Sequence, residues 1–452
     1  MKSLTTSTQN QAGTPKSRLL TCMVATTLLL ALAIPALVVA QNLKALNYTI
    51  LYAFTGADGT SPLAAVVQDS QGNLYGTTAA GGNLGTCSNL YGAGCGVVFK
   101  LGLRTAGADV LHAFTGGTDG AQPMGTLLLG PGGNLYGTAY SGGDVNCVGG
   151  GSGGCGVLFK IDSHGNYSVL HTFESGAADG NGPRSLVQDS AGNLYGGTDF
   201  GGGGSACSSG QIGCGVVFKL DTNNQLTVLH SFTGQADGSD PIGHPTLGTD
   251  GNIYGTTYQG GTLGQGVVFK LSPNPDGTWT ESWAYNFTGG ADGGWPAAAV
   301  IRDDSGNLYG AATSGGIGGN GTVFKIDANG HETTLYSFTG ADGSLPFGDL
   351  IRDQHGNLYG TTFVGGALYG GVVFKVNPAG KETVLHDFTT IAGGYAPYAG
   401  LLFRDRSGSL YGTTSSGGDV GCPPSGPAQG FGCGLVFKLT ACPTPFCQGG
   451  GD

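Results

Sequence analysis

At one recurring position an aspartate precedes a glycine in six of seven copies, as Asp58, Asp119, Asp179, Asp237, Asp292 and Asp342. A ring of such carboxylates around a common axis could collect a hard cation such as Ca²⁺, which takes several oxygen ligands. Asp-Gly is also ordinary turn chemistry, the carboxylate accepting a local backbone N–H, and this is the stronger reading. No other cofactor is expected. Three more aspartates, Asp144, Asp199 and Asp419, stand close to Gly-Gly pairs without recurring elsewhere, and Tyr140 and Phe200 lie beside the first two. Aromatic faces next to carboxylates could hold a sugar or a partner's ring, so these five form the expected binding set; buried, the aromatics would seal neighbouring elements instead. Tyr140, Phe200, Tyr258 and Phe363 are taken as equivalent positions in successive copies.

Catalysis is harder to find. Glutamate occurs only at Glu174, Glu281, Glu332 and Glu382, scattered, whereas glycoside hydrolysis needs a facing pair of carboxyl groups. Gly150-Gly151-Ser152-Gly153-Gly154 has the spacing of a nucleophile elbow but lies in a polyglycine stretch, not between a strand and a helix. The histidines His112, His171, His230 and His386 alternate with tyrosines at one repeated position, which points to aromatic packing with a polar tip. No catalytic residue is assigned, and a metal-assisted or carbohydrate-active hydrolase or lyase is the alternative.

Ten of the eleven cysteines fall into close pairs: Cys87 with Cys95, Cys147 with Cys155, Cys207 with Cys214, Cys422 with Cys433, and Cys442 with Cys447. None has zinc-site spacing, so five local disulfides in an oxidising compartment are expected. Lys2, Lys16 and Arg18 precede an apolar run from Leu19 to Ala40, the pattern of a secretory signal over residues 1–40; an uncleaved anchor is the alternative. The chain is expected to be secreted, with no membrane span after the signal is removed. With 18 basic against 29 acidic residues, nucleic acid is excluded as a partner.

These groups need a scaffold, and the sequence supplies one seven times. Asn-Leu-Tyr-Gly starts at Asn73, Asn134, Asn193, Asn307 and Asn357, with variants at Asn252 and Ser409. A Phe-Lys pair follows each, from Phe99-Lys100 to Phe437-Lys438, and six copies then carry a third stretch such as Val110-Leu111-His112-Ala113-Phe114. Each copy therefore holds four short strands, A to D, expected in the first copy at Leu63–Gln68, Asn73–Thr78, Val97–Leu101 and Val110–Phe114, joined by Asp/Asn/Gly turns. The expected fold is an all-β, seven-bladed propeller spanning 41–440, with 441–452 as a Cys-containing tail. The seventh copy lacks strand D, and Thr49–Phe54 has D character without A to C before it. That segment is expected to complete the last blade and close the ring.

Gly-Asn-Leu-Tyr-Gly-Thr-Thr, Gly-Gly and Gly-Val-Val-Phe-Lys resemble the GloVer tandem repeat, and the overall order resembles NHL-type propeller repeats. Leu111-His112-Ala113-Phe114 is similar to the motif of HAF extracellular repeats. The resemblance covers residues 49–440 and implies a propeller-like fold and an extracellular location, without an assigned activity.

Antiparallel A-to-D order puts the A–B and C–D turns on one face and the B–C and D–A loops on the other. Long, cysteine-bearing B–C loops come from blades one, two, three and seven, contiguous in a closed ring, which marks this face as the working one. The seven Phe-Lys lysines, on the opposite face with the A–B turn aspartates, are expected to pair with those aspartates or to bury their stems. The leading expectation is a monomeric, non-catalytic binding or surface protein whose ligand is a polysaccharide or another surface protein. A structural component of a surface layer is a further alternative.

Overall fold

A computed structural model describes residues 46–441 apart from 86, 90, 103–106, 145, 148–152, 175–177, 204–206, 208–212, 399–402, 419–421 and 423–431. The expected signal at 1–40 lies outside the described residues, as do Asp419, Cys442 and Cys447.

The seven copies fold into seven four-stranded antiparallel sheets, each in the order A-B-C-D, and these are the blades of a propeller. Blade 1 comprises Val67–Gln68, Leu74–Thr78, Val97–Leu101 and Ala108–Ala113. Strand A is shorter than the sequence suggests, because the residues between Pro62 and Val67 leave the ladder and line the axis. In blade 7 the N-terminal strand Leu46–Ala53 pairs with Leu435–Ala441 as the missing strand D. The ring therefore closes through the expected segment, which starts three residues earlier than its sequence suggests.

The repeated residues build the blades and their seams. The Phe of each C strand meets the Phe that ends the preceding blade's D strand, as in Phe114–Phe159 (5.5 Å) and Phe232–Phe269 (5.3 Å). Phe54–Phe99 makes the same edge-on contact at 5.0 Å across the closing seam. Each ring lies over the Gly of Asn-Leu-Tyr-Gly in its own blade. A Cβ on Gly76 would stand 2.6 Å from Phe99 Cζ, so only glycine leaves room. The hydroxyl after that glycine reaches the next blade, Thr77 Oγ1 donating to Gly125 O at 3.2 Å.

The lysines do not pair with the A–B turn aspartates. Tyr75 lies directly opposite Lys100, and the Lys100 ammonium sits 5.8 Å from the Tyr75 ring centroid, a cation–π contact. The turn carboxylate takes the tyrosine instead, Tyr75 OH donating to Asp69 Oδ2 at 3.0 Å. Direct cross-strand opposition sets the ring beside the ammonium.

Candidate functional site

Every blade enters its A strand through a proline, and the residue before that proline is left-handed in all seven: Ser61, Gln122, Gly182, Asp240, Trp295, Leu345 and Ala396. Each is stitched between blades. Asp240 N donates to Cys214 O at 2.9 Å, and Tyr258 N donates to Asp240 O at 2.9 Å. This turn aims the residues after the proline at the propeller axis, on the side of the B–C and D–A loops. There they line a cavity of about 90 Å³ contributed to by all seven blades, including Leu63, Met124, Arg184, His244, Phe347 and Tyr398. It has room for a few waters and is well below the roughly 300 Å³ at which pockets enclose organic ligands. A larger ligand can lie across the mouth with one group inserted.

Two ion pairs occupy the wall. Arg184 donates from Nε to Asp199 Oδ1 at 2.7 Å and from Nη2 to Asp199 Oδ2 at 2.5 Å. The guanidinium also lies 4.9 Å from the Tyr140 ring centroid. Burial opposes the arginine's charge, but Asp199 more than compensates and raises its pKa, and burial raises Tyr140. Bidentate pairing fixes the plane of the guanidinium and stacking fixes its face. Tyr91, on the small hairpin Ser88–Asn89/Gly92–Ala93 inside the Cys87–Cys95 loop, is close enough to feel Tyr398, Arg184 and Asp199, and burial raises its pKa.

The second pair spans three blades. His244 Nε2 is 3.0 Å from Asp349 Oδ2, and His244 Nδ1 is 3.1 Å from Pro245 O. Asp349 reaches across blade 5, where Ala299 N donates to its Oδ1 at 2.5 Å. Burial disfavours a charged imidazole, yet Asp349 and the carbonyl together raise the His244 pKa. Both ring nitrogens face acceptors, an arrangement that favours the protonated ring. Ser185 lines the same cavity, but its Oγ accepts from Thr126 N at 2.9 Å. The serine, histidine and aspartate of this cavity therefore lack the geometry in which a free imidazole nitrogen activates a serine.

A family model for the Gloeobacter/Verrucomicrobia repeat matches residues 38–206 and 203–423. The chain belongs to the Gloeobacter/Verrucomicrobia repeat family. No curated protein matches it. Solved structures similar to this repeat protein include a putative 6-phosphogluconolactonase from Bacteroides uniformis, 17% identical with a TM-score of 0.45 over 70% of this chain and 84% of that one. A gluconolactonase from Xanthomonas campestris is 15% identical, with a TM-score of 0.37 over 69% and 83% of the two chains. A luciferin-regenerating enzyme is 10% identical, with a TM-score of 0.43 over 87% and 95%. Likeness at this level carries no inference about activity.

Within this Gloeobacter/Verrucomicrobia repeat chain the structure brings together only part of the expected site. Asp199 and Tyr140 meet at the axis. Asp144 does not join them, because its Oδ1 accepts from Asn146 N at 3.0 Å in a turn of its own loop. Phe200 is not equivalent to Tyr140. It pairs with Asn181, as Ser141 pairs with Ala121, so Asp199 is the residue that matches Tyr140, Tyr258 and Phe363. The blade 3 copy has glycine where the others have threonine or alanine ahead of this position, which obscures the one-residue offset in the sequence.

The six Asp-Gly aspartates each bind within their own blade rather than around one mouth. Asp119 accepts from Thr115 N at 3.0 Å and stands 3.1 Å from His112 Nε2. Asp179 meets His171 and Asp237 meets His230. Asp292 accepts from Tyr285 OH at 3.1 Å, and Asp342 from Tyr336 OH at 2.5 Å, while Tyr52 OH donates to Asp58. The histidine–tyrosine exchange on strand D thus serves one carboxylate per turn, and D is the edge of the sheet farthest from A. Among the described residues no three His, Cys, Asp or Glu side chains group as metal ligands.

Four of the five expected disulfides are present, Cys87–Cys95, Cys147–Cys155, Cys207–Cys214 and Cys422–Cys433. The fifth expected partnership, of Cys442 with Cys447, is not among them, because both Cys442 and Cys447 fall beyond the last described residue, Ala441. Among the described residues no helix is long and apolar enough to cross a membrane.

Sequence reasoning missed Arg184, His244, Asp349 and Asp240. A signal for Arg184 was there: the residue after the proline is Leu63, Met124, Ile242, Ala297, Phe347 or Tyr398 in the other copies, and a charge in an apolar column marks a departure from scaffold.

Proposed function

We propose that this chain is an extracellular, non-catalytic binding propeller that holds a carbohydrate chain across its loop face, over the axial cavity. The carrying observation is where the seven copies disagree. Repeated residues are spent on seams and turns, while Arg184, Tyr398 and Phe347 line one narrow cavity and Asp199 and Tyr140 hold Arg184. Aromatic faces beside an oriented guanidinium suit stacking on sugar rings with hydrogen bonds to hydroxyl groups. The small cavity favours an extended ligand lying over it. Four disulfides agree with an oxidising, exported location. Binding without turnover is also supported by the engagement of Asp199 and Asp349 in ion pairs and of Ser185 with a backbone N–H.

One observation favours the hydrolase alternative. Burial and the charge of Asp199 push the Asp240 carboxyl up to about 7, the range in which a carboxylic acid can donate a proton at neutral pH. It has no free carboxylate facing it from the described residues, and a second would be needed. Glycan-array screening of the chain, compared with Arg184→Ala and with Asp144→Ala, tests the binding reading. Retention of at least one glycan class, lost in the first variant and kept in the second, is expected. Equal binding by both variants would move the site away from the axis. Release of shortened sugars in the same incubation would establish the hydrolase.

A further inference from the structure

Asp240 immediately precedes Pro241 and the cavity-lining residues Ile242, Gly243 and His244. Its left-handed turn does not require a carboxylate, since the same place holds Ser61, Gln122, Gly182, Trp295, Leu345 or Ala396 in the other blades. The backbone is fixed on both sides by the bonds to Cys214 and Tyr258, so the side chain is carried by a rigid support. Among the described residues, no hydrogen bond or ion pair engages its carboxyl oxygens.

The neighbouring charges explain why. Arg184 is the cation close enough to act on Asp240, but its bidentate fork is closed on Asp199. His244 is likewise closed on Asp349. Arg184 and His244 each already face a carboxylate, and Asp240 is left without a counterpart. Aromatic groups border it. Tyr258 is near enough to feel its charge, and the Tyr258 ring centroid is 6.0 Å from that of Trp295, whose side chain is part of a residue 40% exposed.

Resting on the carbohydrate reading above, we propose that Asp240 selects sugars that carry a protonated amine, making free amino-sugar polymers the ligand class. An ammonium group is compact enough to reach Asp240 beside the cavity of about 90 Å³, beneath a sugar ring stacked on Tyr258 and Trp295. It would donate to the unpaired carboxylate and lie against aromatic faces, both of which favour a cation. An acidic sugar would meet the unpaired Asp240 and be repelled. N-acetylation removes the charge and adds bulk at the atom that has to approach the carboxylate. Charging of Asp240 couples to binding, so affinity for the amine rises as pH increases towards 7. The groups that set this response are Asp199, Arg184 and Tyr258 around Asp240, together with the ligand amine.

The test is calorimetric titration of the full chain with three oligomers of equal length: a β-1,4-linked glucosamine oligomer, its fully N-acetylated form and a neutral glucose oligomer. We expect the free-amine oligomer to bind at least tenfold more tightly than the other two. Asp240→Asn should collapse that ratio to near one while leaving the affinity for the N-acetylated oligomer within about twofold, which also shows that the variant is folded. Equal affinity for all three oligomers in the parent chain, or an undiminished ratio in Asp240→Asn, would overturn the amine assignment and leave carbohydrate binding standing. Binding of none of them would remove the carbohydrate reading itself.

Discussion

At the scale of residues, histidine shows how one repeated position acquires different electrostatics. His112 and His386 stack flat on Tyr167 and Tyr48 of the following blade, at 3.8 and 4.0 Å between centroids. Asp119 faces His112, whereas the D–A loop after His386 has no such aspartate. Burial therefore pushes His386 down to about 4, with Asp387 acting weakly the other way. The unfolded chain takes up this proton near pH 6.5 and the folded chain only near 4. More protons bind to the unfolded state throughout that window, so acidification from 6.5 to 4 removes stability, by up to about 3 kcal/mol. Other groups titrate in the opposite sense: Asp240 and Glu382 are both pushed up to about 7, chiefly by burial. The histidine term must therefore be isolated by difference. His386→Tyr, which places the residue found at Tyr285 and Tyr336, removes the titration and keeps an aromatic ring. Denaturation of both proteins at pH 7 and pH 4 should show the variant gaining up to about 3 kcal/mol relative to the parent. A pH-independent difference would show that His386 is not held neutral by its stack.

Elements explain both what could be read in advance and what could not. Strands were legible because the same pattern recurs seven times and because Asp-x-x-Gly-Asn specifies a tight turn, seen in Asp69 Oδ1 accepting from Gln71 N and Asn73 N at 2.9 Å each. The axial contacts were not legible, since they join residues in different blades. Nothing in the sequence near His244 indicates that Asp349 lies 3.0 Å away. Blade 5 meets the pair through Ala299 N, which donates to Asp349 Oδ1. The stapled loops are an intermediate case, their closure evident from cysteine spacing but the approach of Tyr91 to Tyr398, Arg184 and Asp199 visible only in three dimensions. A short loop of this size is stabilised by its disulfide by about 2–3 kcal/mol, and that gain is local. Cys87→Ser/Cys95→Ser should speed amide exchange at residues 88–93 while strands Leu74–Thr78 and Val97–Leu101 keep their protection. Loss of protection in both strands would mean that the staple supports the blade rather than the loop.

For the whole molecule, the decisive feature is that the seam between the chain ends is built like the other six. Phe54 is fully buried against Phe99, as Phe232 is against Phe269, and Phe54 N donates to Gly434 O at 3.0 Å as Phe114 N does to Gly96 O at 3.1 Å. Thr413 Oγ1 donates to Ala64 O at 2.9 Å, linking blade 7 to blade 1 as Thr77 links blade 1 to blade 2. An open array would leave a bare C strand in the last blade, with unpaired backbone groups along its edge. Closure also makes the axial site a property of the ring, because a cavity lined by seven blades exists only while all seven are in place. The consequence can be measured with two truncations of one aromatic ring. Phe232→Ala, inside the array, should cost about 3–5 kcal/mol for a fully buried phenylalanine. Phe54→Ala should cost the same, although its partner is encoded 45 residues later in another blade, and both variants should unfold in one transition with the parent's denaturant slope. If the seam were a loosely attached strand, Phe54→Ala would cost well under 1 kcal/mol and a chain lacking residues 46–54 would melt like the intact protein. Comparable losses at the two positions would show that the N-terminal strand carries a full seventh of the ring's cohesion.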